Sequence, residues 1–224
     1  FQLSATRDIS KNRENKEILI SIYSSVLLIK IIQTIISFLI LNILIFTVSK
    51  FGDEWQLFYA TFLFVIGNAL FPVWFFQGIE EMKYISYLNI IAKVIFTIGI
   101  FVFIQDSEDY LYQPLLNGVG IIFIAIYSII FINKKYQIKF KIQPIEKVKK
   151  TFLDSWDIFI TQLMPNLYNN FSTFLLGFVT SMENVGYYSL ATKIIDVANS
   201  IVTILRNVTY PHLSKDYSKF KQIA

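Results

Sequence analysis

The chain has 224 residues, 54% of them hydrophobic, and a mean hydropathy of +0.53. A soluble domain of this size rarely buries so much apolar surface in one core without leaving large adhesive patches, so an integral membrane protein is the simpler reading. The net charge of +4 raises nucleic acid as a partner, which the placement of the charges argues against, and the absence of cysteine excludes a disulfide framework and a thiolate metal site.

The chain opens on a short polar stretch. It begins at Phe1 with no signal peptide ahead of it, which is what an internal fragment would show. Six apolar spans follow, each long enough at ~1.5 Å per helical residue to cross a hydrocarbon core of ~30 Å. The first, roughly Ile20 to Ser49, carries Lys30, Gln33, Thr34 and Ser37. The second, Trp55 to Ile79, contains no charged residue but has Pro72 well inside it, which removes a backbone donor and frees the carbonyl of Asn68. The third, about Tyr84 to Ile104, carries Ser86, Asn89, Lys93 and Thr97 at spacings of three and four, so these stack along one helical face. The fourth, Tyr110 to Asn133, is again uncharged. Many Tyr and Trp, among them Trp55, Tyr84, Tyr110 and Trp156, stand where spans begin, the position of an interfacial belt.

One connection is long. It runs from Lys134 to about Lys150 and passes into Ile145, Val148, Phe152 and Trp156 at helical spacing, which predicts an amphipathic interfacial helix. It divides the chain into residues 1–133, a basic linker 134–156, and residues 157–224. Beyond it, the span Ile158 to Met182 carries Gln162, Pro165, Asn166, Asn169, Asn170 and Thr173. The last span, about Val185 to Leu205, carries Lys193, Asp196 and Asn199.

Sixteen of the 20 basic residues fall in alternate connections: 7–16, Lys83, 134–150 and 206–221. The other connections hold Lys50 beside Asp53 and Glu54, and the acidic run Asp106 to Asp109. This is a positive-inside bias, and it predicts a cytoplasmic N-terminal stretch, 134–150 loop and C-terminal tail, with no nucleic-acid partner.

A lone polar residue in a span, such as Asn42 or Ser128, is expected to make a local interhelical hydrogen bond. Whole stripes with ionisable residues need more, since a charge facing lipid at mid-depth costs at least ~2.5 kcal/mol. They imply a shared water-accessible cavity. Lys93 and Lys193 each lie ten residues from the nearest flanking charge (Lys83, Glu183), about 15 Å deep. Lys30 either snorkels or lines the cavity. Lys193 and Asp196, at i,i+3, either neutralise each other or leave the lysine to attract an anion while Asp196 exchanges a proton in ion coupling. Pro72 and Pro165 are either hinges on a transport path or plain kinks.

Two blocks, Phe1-Gln-Leu-Ser-Ala-Thr-Arg-Asp-Ile-Ser10 and Phe71-Pro-Val-Trp-Phe-Phe-Gln-Gly-Ile-Glu-Glu-Met-Lys83, resemble the Wzx-type polysaccharide flippases of the multidrug/oligosaccharidyl-lipid/polysaccharide exporter superfamily. Tyr168-Asn169-Asn170 and Val185 to Ile194 add to the likeness. The resemblance implies an all-α polytopic transmembrane bundle with a MATE-like two-lobe exporter fold, of which this chain would be the end of the second helix through the eighth. It implies a multi-pass protein of the bacterial cytoplasmic membrane that moves undecaprenyl-pyrophosphate-linked oligosaccharide by alternating access. Its partners would be that lipid-linked oligosaccharide, membrane lipid, and a polysaccharide polymerase and chain-length complex. No cofactor and no metal is implied.

For such a cargo, Lys93, Lys193, Lys30 and Arg7 would supply cations to a pyrophosphate. Asn89, Asn166, Asn169, Asn170, Asn199 and Gln77 would meet sugar hydroxyls. Arg7 equally reads as a topology determinant, and Glu80 and Glu81 as a solvated loop or a gate. The competing functions are a multidrug or lipid II exporter of the same superfamily, and a membrane glycosyltransferase or polymerase using the acids at 106–109. Three lysines against one aspartate within the spans favour an anionic cargo. No catalytic constellation is apparent, and His212 reads as a solvated tail residue.

Overall fold

The computed structural model describes residues 2–200, apart from the side chains of Lys50, Ser107, Gln162, Pro165, Asn166, Tyr168, Asn169 and Asn170. The chain divides into two compact units, residues 1–160 and residues 161–224. The predicted linker 134–156 therefore belongs to the first unit.

The elements are helical throughout the described residues. Helix α1 is Gln2–Lys11 and α2 is Lys16–Thr47, opened by Asn15, whose side-chain oxygen accepts the Ile18 amide at 3.2 Å. A short α3, Ser49–Gly52, leads to α4, Trp55–Leu70. The second predicted span is not one helix: α4 stops before Pro72, the backbone is extended at Phe71, and α5, Val73–Gly78, starts anew. Proline lacks the amide that would continue the ladder and disfavours a helical residue before it, so the break falls here. Helix α6 is Met82–Phe103. A 3-10 turn, Ser107–Leu111, held by the Asp106 and Asp109 capping pair, feeds α7, Tyr112–Tyr136. Helix α7 ends on Gln137 at φ 56°, a left-handed cap. Then come α8, Ile145–Asp154, and α9, Trp156–Val179. Helical backbone resumes over 182–200.

Among the described residues, four stretches are long and apolar enough to cross a membrane: Lys16–Thr47, Trp55–Gly78, Met82–Phe103 and Glu108–Tyr136. The mid-sections of three of them expose Ile35, Leu39, Ile95 and Phe123, an apolar exterior that suits lipid and not water. The all-α membrane bundle expected from composition is what forms. The fifth and sixth predicted spans coincide with α9 and 182–200, both of which include or adjoin residues outside the described set.

Small residues bring the helices together. At Gly67 a side chain would meet the Ile122 nitrogen of α7 at 2.9 Å, and at Gly118 it would meet Leu63 Cβ of α4 at 2.5 Å. Glycine on both sides is what lets these backbones approach. Gly99 of α6 lies on Leu116, and Gly78 of α5 lies on Ile9 of α1. Asn42 accepts the Tyr59 hydroxyl at 2.7 Å, the interhelical bond expected of it. Ser128 instead donates to Ile124 O of its own helix at 2.6 Å.

The end carrying Arg13, Lys83 and 134–150 is the basic end, and the opposite one, with Asp53, Glu54 and 106–109, is the acidic end. The core is densest at the basic end. Trp74, Phe75 and Phe76 are fully buried, with Tyr23 against Trp74 and Phe75 (ring centroids 5.6 Å each) and Tyr84 against Phe131 (4.8 Å). The tryptophan-diphenylalanine block is thus a packing core rather than a cargo contact.

Candidate functional site

The stripe on α6 survives folding as one surface. Ser86, Asn89, Lys93 and Thr97 line a depression of about 570 Å³, framed by Ile90, Val94 and Ile98. A second depression, about 320 Å³, shares Asn89 and Lys93 and continues to Gln113 and Asn117 of α7 and Phe64 of α4. A third, about 390 Å³, shares Phe64 and runs past Asn68 to Lys30, Gln33, Thr34 and Ser37 of α2. The first two depressions share Asn89 and Lys93, and the second and third share Phe64, so the three form a row along α6, α7, α4 and α2 in which polar side chains are set among apolar ones.

Lys93 lies 11 residues into the 22-residue α6, and Lys30 lies 14 residues past Lys16 in the 32-residue α2. At 1.5 Å per residue Lys93 is ~16 Å from the helix start, near the middle of the span. Among the described residues, no Asp or Glu lines any of the three depressions. The row therefore presents two ammonium groups, amides and hydroxyls, which is the donor set for a multiply charged anion bearing hydroxyl groups.

The structure sorts the predicted residues. Asn89 and Lys93 meet in the first two depressions, and Lys30 lies in the third, next to them across Phe64. Arg7 does not: it is exposed on α1 and pairs with Asp8 at 3.0 Å. Gln77 is engaged between α1 and α5, accepting from Thr6 Oγ1 and from Gln2 Nε2, each at 3.3 Å. Pro72 stands at the break between α4 and α5. In the second unit Lys193, Asp196 and Asn199 are exposed on the helix over 182–200, and no ion pair joins Lys193 to Asp196 among the described residues. The side chains of Pro165, Asn166, Asn169 and Asn170, and all of His212, lie outside the described residues.

Gln113, Asn117 and Asn68 escaped the sequence reading as site residues. Gln113 and Asn117 are at i,i+4, a two-member stripe that was legible; Asn68 carried no periodic signal.

Around the basic end an ionic layer closes the turn between α5 and α6. Arg13 Nη2 meets Glu80 Oε1 at 2.7 Å and Arg13 Nε donates to Gly78 O at 2.8 Å. The guanidinium holds the Glu80 carboxyl below its ordinary range, chiefly through that hydrogen bond, and Arg13 is raised in turn. Glu81 pairs with Lys83 at 2.9 Å and Lys135 at 3.6 Å, and its carboxyl is likewise lowered, first by the hydrogen bond from Lys83. Glu80 has φ 61°, a left-handed conformation that the ion pair helps to hold.

Long apolar helices, with lysines and amides in stripes along them, define a polytopic membrane protein. The chain belongs to the polysaccharide biosynthesis protein family, whose model matches residues 1–216. This bears out the family likeness carried by the blocks at Phe1–Ser10 and Phe71–Lys83. Two curated relatives are similar over 96% of this chain: one from Escherichia coli (strain K12), 22% identical, and one from Shigella dysenteriae, 24% identical, each named "Putative O-antigen transporter". The chain spans 52% and 54% of their lengths, about half. No solved structure matches the chain.

Proposed function

We propose that the protein is a transporter, not an enzyme, and that the polar face is one wall of a path along which undecaprenyl-pyrophosphate-linked oligosaccharide repeat units are flipped across the bacterial cytoplasmic membrane by alternating access. The observation that carries this reading is that Lys30 and Lys93, each in the interior of its span, line neighbouring depressions that hold amides and hydroxyls and, among the described residues, no carboxylate. A pyrophosphate needs cations in a site of lowered dielectric, its sugars need amides and hydroxyls, and its polyprenyl tail is free to stay in lipid. The names of the two relatives and the family match support the same reading. The basic end would face the cytoplasm, in keeping with the lysine-rich connections on that side. In the second unit, Lys193 and Asn199 would bind cargo and Asp196 would be the group that exchanges a proton. The polysaccharide polymerase and chain-length complex would take the delivered units.

The test is complementation of a strain deleted for its own flippase of this family, reading surface polysaccharide with membrane abundance matched. Lys93→Glu is expected to abolish export, and Lys30→Ala and Lys93→Ala to lower it about ten-fold or more, the loss of one charge-assisted contact. Wild-type polysaccharide from all three variants would remove the reading.

A further inference from the structure

The linker carries a surface that the transport path does not use. From Ile138 to Gln143 the chain has no regular structure and is tied to the first turns of α2: the Lys141 amide donates to Ser24 Oγ at 3.0 Å, and Ser21 Oγ donates to Gln143 Oε1 at 3.0 Å. Its apolar side chains leave the protein step by step, with Ile138 2%, Phe140 45% and Ile142 85% exposed. Helix α8 continues it. Val148 is buried against the bundle, but Ile145 is 74% exposed, and Leu153 and Trp156 are also largely open. Interleaved with these side chains are Lys139, Lys141, Lys147, Lys149 and Lys150, all exposed, against only Glu146 and Asp154.

Helix α2 locates this surface. At 32 residues it is about 48 Å long, some 18 Å more than a hydrocarbon core, so its first turns, where Ser21 and Ser24 hold the linker, reach the headgroup layer. Apolar side chains dispersed among lysines match that layer, where acyl carbon and headgroup charge lie within a few ångströms of each other. A soluble acidic polymer would satisfy the lysines and leave Ile142 and Ile145 in water.

We propose that residues 138–156 form a binding site for anionic phospholipid headgroups, with Phe140, Ile142 and Ile145 set among the acyl chains and Lys139, Lys141, Lys149 and Lys150 on the phosphates. The site rests on this surface alone and is independent of what the polar face carries.

Because the chain has no cysteine, Ile142→Cys gives a single attachment point for a polarity-sensitive fluorophore. The full chain is placed in nanodiscs of phosphatidylcholine alone or with about a third phosphatidylglycerol. The expected result is a blue shift and an about two-fold or greater fall in iodide quenching in the anionic discs, reversed by salt. Changing Lys139, Lys141, Lys149 and Lys150 together to Gln removes the difference between the discs, and changing them to Arg keeps it, with helix content by circular dichroism unchanged. If the glutamine variant fails to fold, the salt titration of the wild-type linker decides. Equal quenching in both lipids, a difference that survives neutralisation of the lysines, or protection by RNA or polyglutamate without any response to phosphatidylglycerol would each overturn the site.

Discussion

Two residues that look alike in the sequence, Arg7 and Lys93, have opposite roles in the fold. Lys93 projects onto a face with no carboxylate, while Arg7 is satisfied by the adjacent Asp8 on an exposed helix. An exposed neighbouring pair contributes little, so Arg7→Gln is expected to leave polysaccharide export close to wild type under the complementation used for Lys93. Arg13 is the arginine with structural consequence, because it ties α2's approach to the α5–α6 turn through both Gly78 and Glu80. The Glu80 carboxyl is lowered from an ordinary 4.5, so its contribution is fully present above that value and is lost as pH falls through the folded value. Hydrogen exchange at residues 78–82 should therefore speed up as pH is lowered below about 4.5, beyond the intrinsic pH dependence of exchange. Glu80→Gln should show the faster exchange already at neutral pH and lose the extra acid response. A turn whose protection is the same in both proteins at every pH would deny the ion pair any role.

On α2 and α6 the periodic signal was faithful. The stripes on α2 and α6 were read from spacings of three and four, and each lies on a single face in the fold. What periodicity cannot give is which stripe meets which neighbour. That depends on the approach of α4 to α7, set by Gly67 and Gly118, and nothing in a lone glycine's surroundings in the sequence announces its partner helix. For the same reason Gln113 and Asn117 were passed over, and Gln77, which has the composition of a binding residue, proved to be a tie between α1 and α5. The Pro72 interruption was visible as a proline, but not that it ends one helix and starts another. The glycine pair makes a sharp test. A side chain at Gly118 would press on Leu63 Cβ at 2.5 Å and on the Phe64 backbone nitrogen at 3.0 Å, and backbone does not yield. Gly118→Leu should cost at least the ~1–3 kcal/mol typical of overpacking, seen as a lower melting temperature in detergent and reduced membrane abundance. Gly120→Ala, where the nearest atom is Ala92 O at 3.8 Å, should be tolerated.

At the scale of the molecule, the four apolar helices put isoleucine, leucine and phenylalanine on most of their outward surface and reserve one face for lysines and amides. Lipid cannot cover both. A lysine held against hydrocarbon at mid-depth costs at least ~2.5 kcal/mol, and this face has two with no ion pair among the described residues, so in the assembled protein water must reach it. The cysteine-free chain allows the two surfaces to be compared directly. Thr34→Cys on α2 and Thr97→Cys on α6 mark the polar face, and Ile126→Cys on α7 marks the apolar exterior. In membranes, a charged maleimide needs thiolate and water at the site, so the two threonine positions should react about ten-fold faster or more than the isoleucine position. If the face is also where the cargo's phosphates sit, inorganic pyrophosphate should slow the reaction at Thr97→Cys and leave labelling of a cysteine at Gln105, on the acidic end, unaffected. Equal and slow labelling at positions 34, 97 and 126 would mean that lipid or protein seals the lysines, and a path for a charged headgroup could not run along this face.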